Sequence, residues 1–552
     1  MRFPRHRAWA WAAAVFAVAV SLAVAALFPR PGAADTLVPV AAEPGVEDDG
    51  ADCAVPDTGP LTSDSKLPDP FRKLDGTRVS TRSDWRCRRA EIRELAERHV
   101  YGQKPARPES VTGAVSRTGI TVRVTHQGRS ASFSASVDLP SGTGPFPAVV
   151  VLGGLGADTA TIKGAGAAVI SLDPYALGKE GTSRGSKQGA FYSLYGSSSS
   201  TGLLMAWSWG VSRVIDVIEQ SDGGVLRADA TGVTGCSRFG KGAFVAGAFD
   251  QRIALTMPIE SGSAGTGIFR GIPGESGAQP LSSAYSEQPW LGDAFGSFTG
   301  SPGTLPVDTH EIVGLVAPRG LLVMENPHVD WLGARSGSVA ALGGAEVYKA
   351  LGAGGNISYW SDVQDGTHCA ARPEWRTPLQ QNIQKFLLES GSSSGVFRIS
   401  PAKSGDLSAW RDWQTPNLAD GGTSGGGTGG DTGGDDGGVN GGDTGGGPGT
   451  PGDYCTATYR TVNSWSGGFQ GEVTVRNDGS GALDGWSVGM TLASGQSISS
   501  LWNGRNTGTG GAVTVRNTDW NGSVAPGSTT AFGFTATGSS STAPTTLTCD
   551  RP

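Results

Sequence analysis

At 552 residues, with 87 glycines, the chain is too long for one domain and too glycine-rich for an even composition. Its formal net charge of −7, with no basic run after the first residues, argues against nucleic acid as a partner. Six cysteines, an even number, suit disulfides formed in an oxidising compartment.

Residues 1–34 begin with Arg2, Arg5 and Arg7, continue apolar from Ala8 to Phe28 and end in Gly32-Ala33-Ala34. Basic start, apolar middle and small end describe a secretory signal peptide cleaved after Ala34; the length of the apolar run leaves an uncleaved membrane anchor as the alternative. Nothing after residue 34 reads as a membrane span. Residues 35–52 read as an acidic, disordered lead-in. Residues 416–452 are Gly, Thr, Asp and Ser with almost nothing apolar, so they bury no core and read as a flexible tether. The tether separates a large domain, 53–415, from a small one, 453–552.

The large domain opens with a charged helical patch around Trp85 to Ile92, and Cys53 and Cys87 are expected to pair there. Strand-like alternation follows at Thr121–Val124. Apolar runs at 147–152, 167–172, 253–258 and 320–324 read as buried strands. Leu204, Trp207, Val211, Val214, Ile215 and Ile218 recur at helical spacing within 203–220, and 383–388 reads as a closing helix. Strands alternating with helices imply an α/β fold, a mostly parallel sheet covered on both faces.

The stretch Gly235-Cys236-Ser237-Arg238-Phe239-Gly240-Lys241 lies between an apolar strand and a run of small residues. A serine on such a strand-to-helix turn is a nucleophile candidate, with helix N-terminal amides available to an oxyanion. The usual pattern is Gly-x-Ser-x-Gly, and here the second glycine comes one position late. His368, in Gly366-Thr367-His368-Cys369, stands late in the domain where the base of an α/β-hydrolase is expected. Cysteines directly beside the serine and the histidine suggest a Cys236–Cys369 bridge, although six cysteines permit other pairings. The base needs a carboxylate on its second ring nitrogen. Glu260 and Glu325, both at strand ends, qualify equally by spacing. Arg238 is poorly placed for a helix dipole, which favours an oxyanion role. Lys241, one turn on, is placed to donate to a hydroxyl-bearing substrate. Trp331 reads as either a sugar platform or core.

These motifs, with Pro258-Ile259-Glu260-Ser261-Gly262, Asp330-Trp331-Leu332-Gly333 and Ala206-Trp207-Ser208-Trp209-Gly210, resemble the glucuronoyl esterases of carbohydrate esterase family 15 over most of 50–400. The resemblance implies an α/β-hydrolase three-layer sandwich that cleaves esters between 4-O-methyl-glucuronic acid of glucuronoxylan and lignin alcohols. It implies Ser237 as nucleophile, His368 as base and Glu260 as acid, with Glu325 or Asp330 in reserve, because some bacterial relatives carry the acid elsewhere. It also implies the disulfide beside the serine and a sugar-contacting set of Lys241, Gln279, Glu287 and Trp331. No cofactor or metal is expected.

In the small domain, short alternating strands at 472–475, 486–488, 512–515 and 530–534 separated by turns read as an all-β sandwich, closed by Cys455 and Cys549. Trp486 reads as core, whereas Trp465, Trp502 and Trp520 lie in turn-like surroundings suited to stacking on a flat polysaccharide. The domain resembles a family 2 carbohydrate-binding module, and three such tryptophans point to cellulose. The whole reads as a secreted, monomeric cell-wall esterase. An acetyl-xylan or feruloyl esterase, or a non-catalytic wall-binding protein, are the alternatives.

Overall fold

The computed structural model describes residues 46–391, 394–418, 455–465, 467–502, 504–518, 521–524, 526–538 and 543–550. The expected signal peptide and residues 419–452 of the expected tether lie outside them. Among the described residues no helix is long and apolar enough to cross a membrane.

Helix α1 (Arg82–Ala96) precedes strands β1 (Ser110–Val115), β2 (Gly119–His126) and β3 (Arg129–Asp138). Then come β4 (Phe146–Leu152), α2 (Thr159–Gly164), β5 (Ala168–Leu172), α3 (Ala190–Tyr195), α4 (Leu203–Gln220), β6 (Leu226–Cys236), α5 (Arg238–Phe249) and β7 (Ile253–Ile259). The chain continues through α6 (Leu281–Glu287), α7 (Thr309–Val316), β8 (Gly320–Met324), α8 (Ala334–Ala350), β9 (Ile357–Trp360), α9 (Pro373–Phe386) and β10 (Phe397–Arg398). The ten strands form one sheet in the order β1-β2-β3-β5-β4-β6-β7-β8-β9-β10. From β5 to β10 every neighbour is parallel, while β1, β2 and β3 form an antiparallel extension.

Strand β4 is buried at every position, as its unbroken apolar run requires of a strand covered on both faces. Its residues alternate between two cores: Ala148, Val150 and Leu152 join the one beneath α4, α5 and α7, and Val149 and Val151 join the one beneath α2 and α9. That is a three-layer α/β sandwich, and it places the C-terminal ends of β4 to β9 along one edge, where ligands of open α/β sheets bind.

Two expected boundaries shift. The lead-in does not run to residue 52: Glu47 is buried and its carboxylate meets Lys104 at 2.8 Å, Arg213 at 2.5 Å and Arg252 at 3.3 Å. What reads as a solvated acidic tail is, from residue 47, the counter-charge to three buried cations distant in sequence. At the other end Trp413 and Leu418 are buried in the main core, so the domain extends past residue 415. The Cys53–Cys87 bridge forms, with Cα atoms 5.4 Å apart, and ties the N-terminal arm to α1.

The small domain has strands β11 (Cys455–Trp465), β12 (Gly468–Asn477), β13 (Leu483–Asp484), β14 (Ser487–Thr491), β15 (Ser497–Trp502), β16 (Arg505–Thr507), β17 (Ala512–Arg516), β18 (Ser523–Val524), β19 (Thr529–Thr537) and β20 (Thr545–Asp550). Two antiparallel sheets, β11-β12-β19-β15 and β16-β17-β14-β20, enclose a core of Phe469, Trp486, Phe532 and Phe534. Trp486 stacks on Phe532 at 5.6 Å and donates its indole N–H to Asn521 O. Cys455 and Cys549 bridge the first and last strands, one from each sheet. Of the expected cellulose-facing tryptophans, Trp465 and Trp502 end β11 and β15; their side chains, and all of Trp520, lie outside the described residues.

Candidate active site

Strand β6 stops at Cys236 and α5 starts at Arg238, leaving Ser237 alone on the turn with φ 59° and ψ −126°. Its N–H donates to Ile259 O at 2.9 Å, which pins the turn to β7. The displaced second glycine has a steric cause. A Cβ at Gly240 would stand 2.5 Å from Ile259 O, and one at Gly235 would stand 2.3 Å from Phe239 O. The strand–turn–helix corner therefore needs glycine at 235 and 240, and position 239 carries a phenylalanine instead.

The disulfide between Cys236 and Cys369, with Cα atoms 5.8 Å apart, brings the residues beside it together across 133 positions of sequence. Glu260, just past β7, is fully buried at φ 43°. Its Oε2 lies 2.6 Å from His368 Nδ1 and accepts the Cys369 N–H at 2.8 Å. A buried carboxylate facing that nitrogen fixes the proton on Nδ1 and leaves Nε2 as the acceptor. Ligand-type atoms of Cys236, Glu260, His368 and Cys369 all lie within 4.8 Å of one another, but both sulfurs are bonded to each other and offer no thiolate.

The other candidate acids are engaged elsewhere. Glu325 is buried and accepts from Thr266 Oγ1 at 2.7 Å; burial pushes its carboxyl up to about 7, with the Glu260 charge adding to the rise. Asp330 is exposed and pairs with Lys403 at 3.0 Å. Glu260 alone of the three contacts His368.

Arg238 pairs with Glu180 at 3.0 Å, and with 42% of its side chain exposed its outer donors stay accessible. Lys241 is buried, its ammonium donating to Ser261 O and to Ser263 O, the latter at 2.7 Å. Desolvation lowers its pKa to about 8, against the pull of Glu325 and Glu287. Two of its three N–H groups are thus spent on carbonyls, leaving one. Gln279 donates its amide to Glu287, the last residue of α6, at 2.8 Å and its backbone N–H to Trp331 O, so three expected residues come together. Trp331 is 53% exposed and meets the His368 ring edge-on at 5.8 Å, which settles it as surface rather than core.

Residues 122–352 match the family described as glucuronyl esterase of fungi, and residues 455–550 match the cellulose binding domain. A 4-O-methyl-glucuronoyl methylesterase of Neurospora crassa is 39% identical over 378 residues, 66% of this chain and 93% of that protein. The chain belongs to the glucuronoyl esterase family. The glucuronoyl esterase catalytic domain of Hypocrea jecorina superposes with a TM-score of 0.61 at 37% identity, covering 66% of this chain and all of that one. The same TM-score of 0.61 and 37% identity hold for a mutant of the Sporotrichum thermophile glucuronoyl esterase in complex with methyl 4-O-methyl-β-D-glucopyranuronate, again over 66% and 100% of the chains. Family membership makes the large domain a carboxylic ester hydrolase, and the small one is a cellulose-binding domain.

Three polar residues of this glucuronoyl esterase site escape the sequence. Glu180 accepts from Arg238, from Tyr175 OH at 2.7 Å and from Trp290 Nε1 at 2.5 Å. Asn326 Nδ2 and Arg372 Nε approach Glu260 Oε1 at 3.4 and 3.7 Å. All three sit on loops with no local pattern. The one available signal is adjacency: Asn326 follows Glu325 and Arg372 follows the Thr367-His368-Cys369 segment.

Proposed function

We propose that Ser237, Glu260 and His368 act as nucleophile, acid and base of a serine esterase on 4-O-methyl-glucuronic acid esters, such as those joining glucuronoxylan to lignin alcohols. The 2.6 Å contact between buried Glu260 and His368, with the nucleophile's neighbour bonded to the histidine's, carries the reading. His368 Nε2 takes the Ser237 proton as Oγ adds to the ester carbonyl. The oxyanion meets the guanidinium of Arg238 and the amides at the start of α5; one such donor is worth about 3 kcal/mol of barrier. His368 then protonates the leaving alkoxide, and water releases the uronate by the reverse proton route. Lys241, Gln279, Glu287 and Trp331 hold the sugar. The sugar-holding set offers hydrogen-bonding partners to ring hydroxyls, which an acetyl group lacks.

The basic, apolar N-terminus, the three disulfides and the cellulose-binding domain support secretion toward plant cell wall, the small domain raising the local concentration of substrate; the protein is taken to act as a monomer. Trp465, Trp502 and Trp520 are its proposed stacking residues.

Hydrolysis of methyl glucuronate by the protein and by Ser237→Ala is the test. Serine-dependent cleavage with acetylated xylan left intact supports the reading, and cleavage of acetate alone transfers the site to an acetyl esterase. Loss of cellulose pull-down on removing 453–552 tests the targeting; unchanged pull-down refutes it.

A further inference from the structure

Among the described residues the exposed large apolar side chains are Leu61, Leu155, Tyr175 and Trp331, at 37%, 49%, 36% and 53%. A single exposed leucine calls for no explanation. Here, however, three of the four stand on loops leaving the C-terminal ends of the strands that flank Ser237. Leu155 follows β4, Tyr175 follows β5 and Trp331 follows β8. With the strand order β5-β4-β6-β7-β8, Leu155 and Tyr175 fall on one side of the nucleophile and Trp331 on the other.

The two sides differ chemically. On the β8 side Trp331 is joined by Gln279 and Glu287, a hydrogen-bonding set suited to a hydroxyl-rich ring. On the β4–β5 side, Leu155 O accepts the N–H of Cys236 at 2.7 Å, which fixes this leucine one residue from the nucleophile. The Tyr175 ring lies 6.0 Å from the ring of Phe239, and its hydroxyl is committed to Glu180. Phe239 in turn fills the space against Gly153, where a Cβ would come 2.3 Å from its ring. Tyr175 is therefore backed by the Phe239 ring, and Leu155 is held by its backbone bond.

An ester places its acyl and alcohol halves on opposite sides of the attacked carbonyl. We propose that Leu155 and Tyr175 form the subsite for the leaving alcohol, and that its ligand is an aromatic ring borne by that alcohol. An exposed aliphatic and an exposed aromatic side chain on loops that leave adjacent strands offer apolar surface on which a ring buries more area than a bare methyl group does. The assignment rests on the uronate esterase reading above, with the uronate on the β8 side.

The experiment compares kcat/KM for benzyl and methyl glucuronate. Both esters share the acyl half, so their ratio reports the alcohol side alone. Leu155→Ser is expected to lower the benzyl-to-methyl ratio about tenfold. Leu155→Met, which keeps an apolar side chain of similar volume, is expected to hold the ratio near that of the unaltered protein, as is Leu61→Ser, whose leucine is exposed elsewhere. An unchanged ratio in Leu155→Ser overturns the subsite. An equal loss on both esters overturns it too, since Leu155 would then only support the turn. Failure of the unaltered protein to cleave either ester is a different result: it removes the uronate reading itself.

Discussion

Glu260→Gln keeps the shape of the buried acid and removes its charge. In the native site the carboxylate takes a proton bond from His368 Nδ1 at 2.6 Å and another from the Cys369 N–H at 2.8 Å, with no exposure to water. Oε2 serves both donors, so a glutamine whose amide N–H₂ takes that place faces Nδ1 and gives up the Cys369 bond, while one whose oxygen takes it keeps both bonds and turns its N–H₂ toward the donors of Asn326 and Arg372. In the first arrangement Nδ1 becomes the acceptor and Nε2 carries the proton, so it no longer serves as base toward Ser237; in the second the tautomer is kept and the counter-charge is lost. The loss of imidazolium stabilisation acts in the same direction. A comparable change in a Ser-His-Asp triad costs about 10⁴-fold in kcat, or about 5 kcal/mol of barrier. Turnover of methyl glucuronate should fall by that order with KM little altered, because Glu260 does not touch the sugar set. Glu325→Gln, assayed beside it, should keep most activity. A Glu260→Gln enzyme within tenfold of the native rate, with Glu325→Gln disabled, would refute the assignment.

Replacing Cys236 and Cys369 by serine opens a loop of 133 residues and should lower stability by about 5 kcal/mol on the chain-entropy account; an unchanged melting temperature contradicts it. Lys241 titrates near 8 in the fold against 10.5 for the free side chain, so between those values the unfolded chain binds the extra proton. Burial of this charge therefore destabilises the fold by about 3 kcal/mol below pH 8, and the penalty disappears as pH rises toward 10.5. Denaturant titrations of the native and Lys241→Met proteins should diverge across that window, and parallel pH profiles would count against it. Glu180→Gln loosens Arg238, Tyr175 and Trp290 together and should cost about ten- to a hundredfold in kcat. The loss should be small in an Arg238→Ala background; full additivity would show that Glu180 does not act through Arg238.

Residues that act beside a local pattern are legible in the chain. Ser237 sits on a strand–turn–helix corner, α4 spans Leu203–Gln220 as its apolar spacing requires, and Cys236 and Cys369 adjoin Ser237 and His368. Glu47 shows the opposite case. Its neighbours are acidic and polar, and what draws it inward is charge on Lys104, Arg213 and Arg252, which no local window contains. Glu180 fails for the same reason. The antiparallel extension is half legible, since β2 alternates valine and isoleucine with polar residues, while β3 alternates serine with an inward face that includes the small Ala131 and Ala135, a weaker contrast. Choosing among Glu260, Glu325 and Asp330 required the third dimension, because all three lie near strand ends and only the loop carrying His368 decides between them.

Seven non-glycine residues take a positive φ among those described, and Ser237, Glu260, Ala264 and Cys369 are four of them. Each such conformation costs on the order of 1–3 kcal/mol, and glycine would relieve much of it. The site is therefore built where strained backbone concentrates among the described residues, held there by the sheet edge and a covalent bridge. Relaxation and catalysis pull these positions in opposite directions. A lineage selected for heat resistance without selection for turnover would drift toward glycine at 237, gaining a firmer protein and losing the enzyme, whereas Glu260 is retained by the buried bonds its carboxylate makes.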